Sequence, residues 1–156
     1  MFSSEREMQD LFVKFLKKRK TCGIIFEEVG NRNYFFRTDV VEYKTRDNII
    51  GYELKLKDFK KIIEQSLYTL SIYDKNYVVV PQNMKEQLLK VLDKYPDENK
   101  NKLGIILINR EKYQVIKSPS KESTRNYKDK WNVTLVSDLI IRGYYKSGAS
   151  ACKSYK

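Results

Sequence analysis

The chain of 156 residues carries 31 Lys and Arg against 20 Asp and Glu, a formal net charge of +11, and it contains no histidine. The lack of histidine excludes the usual zinc sites, a histidine general base and a Ser-His-Asp triad. Hydrophobic residues make up 41% of the chain, which is enough for one core and argues against wholesale disorder. The positive charge favours a polyanionic partner, although a codon bias toward Lys, Asn and Tyr would give the same excess.

Two further features of the sequence predict a cytoplasmic protein that does not contact membranes. No apolar run approaches the ~20 residues of a membrane span, and the acidic N-terminal stretch lacks the apolar core of a secretory signal. Cys22 and Cys152 are the only cysteines, which are too few for a disulfide framework. We therefore expect a reducing, intracellular environment.

Hydrophobic periodicity and turn residues predict alternating helices and strands. In chain order we expect a helix capped by Ser3 or Ser4, strands over 24–29, 34–43 and 49–56, a helix over 58–73, a strand over 76–81, a helix over 83–94 capped by Asn83, and strands over 103–108 and 113–116.

This order predicts an α/β fold in which helices cover both faces of a mixed central sheet. A polar, basic loop over 118–130 and a last short helix over 135–145 complete the prediction. We expect a single domain over 1–145, followed by a mobile basic tail over 146–156.

Three side chains in the second and third predicted strands are candidates for metal binding and catalysis. Glu53 and Lys55 are two residues apart, so they share one face of a strand. If the two strands form a hairpin, Asp39 lies near Glu53 on that face. Two carboxylates hold Mg²⁺, with Mn²⁺ as a substitute, and Lys55 can orient the attacking water. The alternative is an exposed strand face with a cross-strand charge pair.

The segments RTD at 37–39 and YELK at 52–55 resemble the signature of the PD-(D/E)XK nuclease superfamily, which has a restriction-endonuclease-like fold. Asp39 takes the place of the metal-binding aspartate, Glu53 the variable acid and Lys55 the lysine, whereas Thr38 replaces the usual proline. The family core is a helix, a three-stranded meander, a helix and a further strand, and residues 3–81 match this order.

The resemblance implies accessory residues in addition to these three. A first-helix glutamate often faces the site of such nucleases, and Glu5 fits this place better than Glu7 because it lies on the apolar stripe of that helix. A glutamine on the helix after the lysine corresponds to Gln65. The main-chain carbonyl of Leu54 is expected to join Asp39 and Glu53 in holding the metal.

Basic residues near these elements are candidates for contact with a nucleic-acid backbone, although any one of them is also explained as a solvated surface residue. They are Arg32, Arg37, Lys57, Lys60, Lys61, Lys121, Arg125 and Lys128.

The sequence thus predicts a Mg²⁺-dependent DNA endonuclease of the restriction, homing or junction-resolving kind. Members of this size often dimerise so that two sites cut two strands, and we expect a homodimer. One alternative is a catalytically inactive nucleic-acid-binding or interaction module on the same fold. The other is a basic structural protein with no active site.

Overall fold

The structure, a computed structural model, describes residues 2–30 and 37–120. The helices are α1 (Glu5–Lys17), α2 (Phe59–Tyr68), α3 (Lys85–Leu92) and α4 (Asp97–Lys100), with short 3₁₀ turns at Thr69–Ser71 and Gln82–Met84. The strands are β1 (Ile24–Val29), β2 (Thr38–Thr45), β3 (Asn48–Leu54), β4 (Lys75–Pro81), β5 (Leu103–Ile108) and β6 (Tyr113–Lys117).

The six strands form one mixed sheet in which the spatial order follows the chain order. The first three strands form an antiparallel meander. β4 then pairs parallel to β3, and β5 parallel to β4, whereas β6 returns antiparallel to β5. A parallel neighbour requires a crossover, and α2 and α3 supply the two that are needed.

Helices cover both faces of this sheet, as the sequence predicted. Successive strand residues point to opposite faces. Val79 of β4 and Ile106 of β5 pack in the core cluster that contains α1, whereas Val78 and Ile105 pack in the cluster that contains α2 and α3. The continuous apolar runs of β4 and β5 are therefore explained by burial on two sides.

Several predicted boundaries are confirmed. The strands predicted over 24–29 and 103–108 coincide with β1 and β5, and the predicted return strand is β6. Ser4 is the N-cap of α1, because its hydroxyl accepts a hydrogen bond of 3.1 Å from the Glu7 N–H.

Other predicted boundaries are wrong. The helix predicted over 58–73 ends at Tyr68 and continues as a 3₁₀ turn, in which the buried Thr69 hydroxyl donates to Asn76 at 2.8 Å. Asn83 does not cap a helix: it lies inside a 3₁₀ turn, and α3 begins without a side-chain cap. The second strand is described from Thr38 and extends to Thr45 rather than ending at 43.

The last predicted helix over 135–145, the tail over 146–156 and most of the basic loop lie outside the described residues. Within residues 2–30 and 37–120, no helix combines the length and the apolar character needed to cross a membrane.

A buried ion pair fastens the end of α1 to the sheet. Glu42 of β2 is fully buried and accepts hydrogen bonds from the Arg19 guanidinium at 2.5 Å, the Gly23 N–H at 2.9 Å and the Tyr52 hydroxyl at 2.8 Å. Burial alone would raise the pKa of Glu42, but these donors outweigh it and hold that pKa below its ordinary value. Glu42 is thus a satisfied structural carboxylate.

Candidate active site

The candidate site lies at one edge of the sheet, where β2 begins and β3 ends. Val40 pairs with Tyr52 in the antiparallel ladder, so Asp39 and Glu53 are the next residues toward this edge and oppose each other. The Asp39 carboxylate also accepts a hydrogen bond of 2.8 Å from the main-chain N–H of Leu54. The short turn between β2 and β3 therefore brings together the two carboxylates that the sequence predicted to meet.

Glu53 is a buried carboxyl without a full set of partners. Its side chain is 4% exposed, and its Oε1 atom has no hydrogen-bond partner within the described part of the chain. Burial, the negative charge of Asp39 and a hydrogen bond with Asp39 raise the pKa of Glu53 to about 9. At neutral pH and without a cation, Glu53 is consequently protonated.

The pKa of Asp39 is subject to opposing effects. Its pKa is raised above the ordinary value by burial, and the hydrogen bonds from the Leu54 N–H and the Glu53 side chain work in the opposite direction. The charges of Glu28 and Glu5 add to the increase. Two buried carboxyls that each raise the cost of ionising the other form an environment to which a cation would be attracted.

Lys55 lies directly after β3, beside these carboxyls in the chain. Its main-chain N–H donates to the Val79 carbonyl at 3.2 Å, which fixes the backbone at this point. Its ammonium group lies 3.6 Å from the Glu5 carboxylate of α1, with side-chain exposures of 23% and 45%. The structure thus places Glu5 beside Lys55.

Glu7 has a different, structural environment. It accepts hydrogen bonds from the main-chain N–H and the hydroxyl of Ser3 and forms an ion pair with Arg110. The hydrogen bonds from Ser3, followed by the interaction with Arg110, lower the pKa of Glu7 to about 2. Glu7 therefore helps to begin α1 and does not point to the carboxylate pair.

Two residues of this region were not predicted from the sequence. Glu28 of β1 has a backbone φ of 53°, in the left-handed region that a glutamate rarely adopts. Gln9 of α1 is 5% exposed, and its side-chain amide donates to Glu27 at 3.1 Å, to Glu28 at 3.2 Å and to the Asp39 carbonyl at 3.4 Å. Gln9 thus connects α1 with the edge of the sheet at which the two carboxyls meet.

Gln65 shares no described hydrogen bond with these residues. Gln65 lies on α2 with a half-buried side chain, and within the described residues no hydrogen bond joins that side chain to Asp39, Glu53 or Lys55. Its main-chain carbonyl accepts the N–H that closes the end of α2. The catalytic role of Gln65 stays a prediction.

The predicted nucleic-acid contacts fall into two groups. Arg37, Lys57, Lys60 and Lys61 are exposed. Arg32, Lys121, Arg125 and Lys128 lie outside the described residues.

Asp39 and Glu53 fit a Mg²⁺ ion as a two-carboxylate site. In the described ranges, no group of three or more His, Cys, Asp or Glu residues has a geometry that could hold a metal. Mg²⁺, however, is usually held by one or two carboxylates together with waters and substrate oxygens. The buried Glu53 Oε1, which has no hydrogen-bond partner in residues 2–30 and 37–120, is the observation that favours a cation here. The Leu54 carbonyl stays a predicted ligand.

Comparison with known proteins bears only on the fold. No protein-family model and no curated protein matches the chain. Among solved structures, the chain is similar to the SPO1766 protein of unknown function from Silicibacter pomeroyi, with a TM-score of 0.51 and 13% sequence identity. The similarity covers 83% of this chain and 84% of that one. At this identity, the similarity concerns the fold and not the activity.

Proposed function

We propose that the protein is a Mg²⁺-dependent DNA endonuclease of the PD-(D/E)XK, restriction-endonuclease-like kind, with Asp39, Glu53 and Lys55 in its active site. The main support for the proposal is the buried Glu53 carboxyl opposite Asp39, of which one oxygen has no hydrogen-bond partner in the described part of the chain. The order of α1, the β1–β2–β3 meander, α2 and the parallel strand β4 supports the same assignment. As part of this proposal, a homodimer would present two such sites to two strands.

Each residue has a separate task in the proposed reaction. Asp39 and Glu53 hold Mg²⁺, and the Leu54 N–H orients Asp39 through its 2.8 Å hydrogen bond. Bound Mg²⁺ supplies Lewis-acid chemistry, since it lowers the pKa of a water and offsets negative charge on the phosphoryl oxygens. Lys55 orients the attacking water and stabilises negative charge that develops on the scissile phosphate. Glu5, 3.6 Å from the Lys55 ammonium, holds that group in place before substrate binds.

Loss of cleavage in Asp39→Asn is the direct test of the metal site. The asparagine oxygen can still accept the Leu54 N–H, so the fold should be retained while the charge that attracts Mg²⁺ is lost. We expect cleavage of plasmid, linear duplex, four-way junction and single-stranded DNA to fall below detection in Mg²⁺ and in Mn²⁺, with a melting temperature no lower than that of the wild type, because a buried negative charge is removed.

Asp74→Asn is the matched control for this variant. Asp74 also accepts a main-chain N–H of β3, that of Ile49 at 2.8 Å, but near the opposite end of the strand. Its replacement should leave cleavage intact. Full activity of Asp39→Asn would remove Asp39 from the site, and a wild-type protein that binds DNA but cleaves none of the four substrates would favour the inactive binding module.

A steep fall in DNA affinity with salt is expected as well. The lysines at 57, 60 and 61, together with Arg37, are exposed, and Arg37 and Lys57 are each two residues from a site residue in the chain. About four neutralised phosphates imply a roughly hundredfold weaker binding constant between 50 and 200 mM salt, because each contact releases counterions. Fluorescence anisotropy with a labelled duplex in metal-free buffer measures this slope.

A triple alanine variant at Lys57, Lys60 and Lys61 locates these contacts. It should reduce the logarithmic salt slope by about three. The control removes the same charge from α3 and the residues that follow it by replacing the exposed Lys85, Lys90 and Lys94, and it should keep the slope. Equal slopes in the two variants would place the phosphate contacts elsewhere.

A further inference from the structure

The regular alternation of side chains between the two faces of the sheet is interrupted in β1 at Glu28, next to the proposed site. Phe26 and Val29 belong to the same apolar cluster although they are three residues apart, whereas a regular strand would direct them to opposite faces. The φ of 53° at Glu28 accounts for this reversal. As a result, Glu27 and Glu28 both reach the Gln9 amide, at 3.1 and 3.2 Å.

This backbone conformation is unfavourable for a glutamate. The left-handed region suits glycine and, less well, asparagine or aspartate, because a larger side chain crowds the following carbonyl. Strained residues of this kind persist where the surrounding structure holds them, and they are concentrated at functional sites. The pairing of β1 with β2 gives the position of Glu28: Glu27 is opposite Val40 and Val29 is opposite Thr38, so Glu28 lies opposite Asp39, where β2 begins.

The charge of Glu28 acts on both carboxyls of the pair. It contributes to the raised pKa values of Asp39 and Glu53, whereas Glu27 is not among the causes of either shift. The Gln9 amide that binds Glu28 also donates to the Asp39 carbonyl, at 3.4 Å. The buried Glu53 Oε1 has no hydrogen-bond partner among the described residues, an observation that is independent of these contacts and fits a cation as its ligand.

We propose that Glu28 is a positioning residue of this site: it holds negative charge beside Asp39 and Glu53 and so strengthens their binding of a divalent cation. The inference rests on the proposed function. In this proposal Glu28 lies outside the ligand pair of Asp39 and Glu53. Among the described residues, no three such side chains form a metal-binding group. Residues that support metal ligands in this way change metal affinity by about 10- to 100-fold when they are replaced.

Titration of the full-length protein with Mn²⁺, followed by calorimetry and by the electron paramagnetic resonance signal of the free ion, tests this role. Glu28→Gln removes the charge and keeps the shape, and it should weaken Mn²⁺ binding by about tenfold. Glu27→Gln is the matched control, since Glu27 is the neighbouring residue and binds the same Gln9 amide. It should change the affinity by less than about threefold.

Glu28→Gly separates a positioning role from a structural one. Glycine adopts the left-handed conformation without strain, so the metal-free variant should melt about 2–4 °C higher than the wild type while it binds Mn²⁺ about tenfold more weakly. Lower melting temperatures in both Glu28 variants would mean that Glu28 supports the fold, and would overturn the inference. Wild-type affinity in Glu28→Gln would overturn it and leave the proposed function standing. A wild-type protein that binds no Mn²⁺ would overturn both.

Discussion

Replacing Lys55 with alanine is expected to reduce DNA cleavage by about a thousandfold while DNA affinity changes only slightly. A group that orients a nucleophile or stabilises developing charge contributes roughly 10²- to 10⁴-fold to a rate. Binding of the ground state, in contrast, draws on many phosphate contacts, of which Lys55 is one. A fall in rate at unchanged affinity is the pattern of an interaction made only in the transition state.

The stability of Lys55→Ala should be close to that of the wild type. The main-chain hydrogen bond from residue 55 to the Val79 carbonyl is kept, and the ion pair with Glu5 is partly exposed at both ends. Exposed pairs of this kind contribute less than ~1 kcal/mol. The variant therefore changes the chemistry at the end of β3 with little effect on the strand itself.

Three measurements on this variant distinguish the possible roles: melting temperature, DNA affinity without divalent metal, and single-turnover cleavage with it. Lys57→Ala is the matched control, because Lys57 is exposed two residues further along the chain and should affect cleavage by no more than its share of binding. Unchanged cleavage in Lys55→Ala would contradict the catalytic assignment. A joint loss of stability, affinity and cleavage would show that Lys55 is structural.

The pairing of Asp39 with Glu53 could be predicted because it depends on local features. Two strands joined by a short polar turn form an antiparallel pair, and the period of two then fixes which side chains share a face. The contact between Glu5 and Lys55 was likewise predictable from helical periodicity, since Glu5 lies on the same stripe as the buried Met8 and Phe12.

The position of Glu28 near the site could not be predicted from strand pairing or helical periodicity. A left-handed residue is normally signalled by glycine or asparagine, and the segment IIFEEV contains neither. Two consecutive glutamates at the end of a strand predict an exposed polar edge. Only the tertiary contact with the buried Gln9 shows that both turn toward α1.

The boundaries that were predicted wrongly have similar causes. The hydrophobic pattern of α2 continues beyond its end, but the hydrogen bond between Thr69 and Asn76 converts the last turn into a 3₁₀ turn. Asn83 is a good capping residue by type, yet the turn after Pro81 begins one residue before it. In both places a tertiary contact or a neighbouring turn overrides local propensity.

Glu42 and Glu53 are two buried glutamates of the sheet core whose different roles could not be predicted from the sequence. Each is flanked by apolar or aromatic residues in its strand, and the two are 0% and 4% exposed. The residues next to them in the sequence do not show which of the two carboxyls has a structural role. Arg19 comes from the end of α1 to pair with Glu42, whereas Glu53 faces Asp39. The two carboxyls consequently have pKa shifts of opposite sign.

The opposite shifts require opposite dependences of stability on pH. The pKa of Glu53 is about 9 in the folded protein against an ordinary 4.5, so the folded state binds a proton that the unfolded state releases above pH 4.5. The stability of the metal-free protein therefore falls as the pH rises from 4.5 to 9, where the loss is complete. The pKa of Glu42 is lowered, so its contribution is present above pH 4.5 and is lost as the pH falls through the folded-state value.

Glu53→Gln is therefore expected to stabilise the metal-free protein and Glu42→Gln to destabilise it. At pH 8 the first variant should gain on the order of 2–4 kcal/mol in unfolding free energy, because glutamine never has to take up the proton. The second should lose about 3 kcal/mol, because Arg19 keeps its charge without a partner. Urea unfolding at pH 5, 7 and 8 measures both. The gain in Glu53→Gln should shrink toward pH 5, whereas the Glu42→Gln deficit should persist there.

Addition of Mn²⁺ to the same proteins connects this instability with the proposed activity. A cation that binds only the folded state stabilises it, and it would replace the proton on Glu53. Wild type and Glu42→Gln should therefore melt at higher temperature with Mn²⁺, whereas Glu53→Gln should respond little and should not cleave DNA. A pair of carboxyls that is kept for function is expected to lower the stability of the metal-free protein. Lower stability of Glu53→Gln at pH 8, with no response of the wild type to Mn²⁺, would instead make Glu53 a structural residue like Glu42.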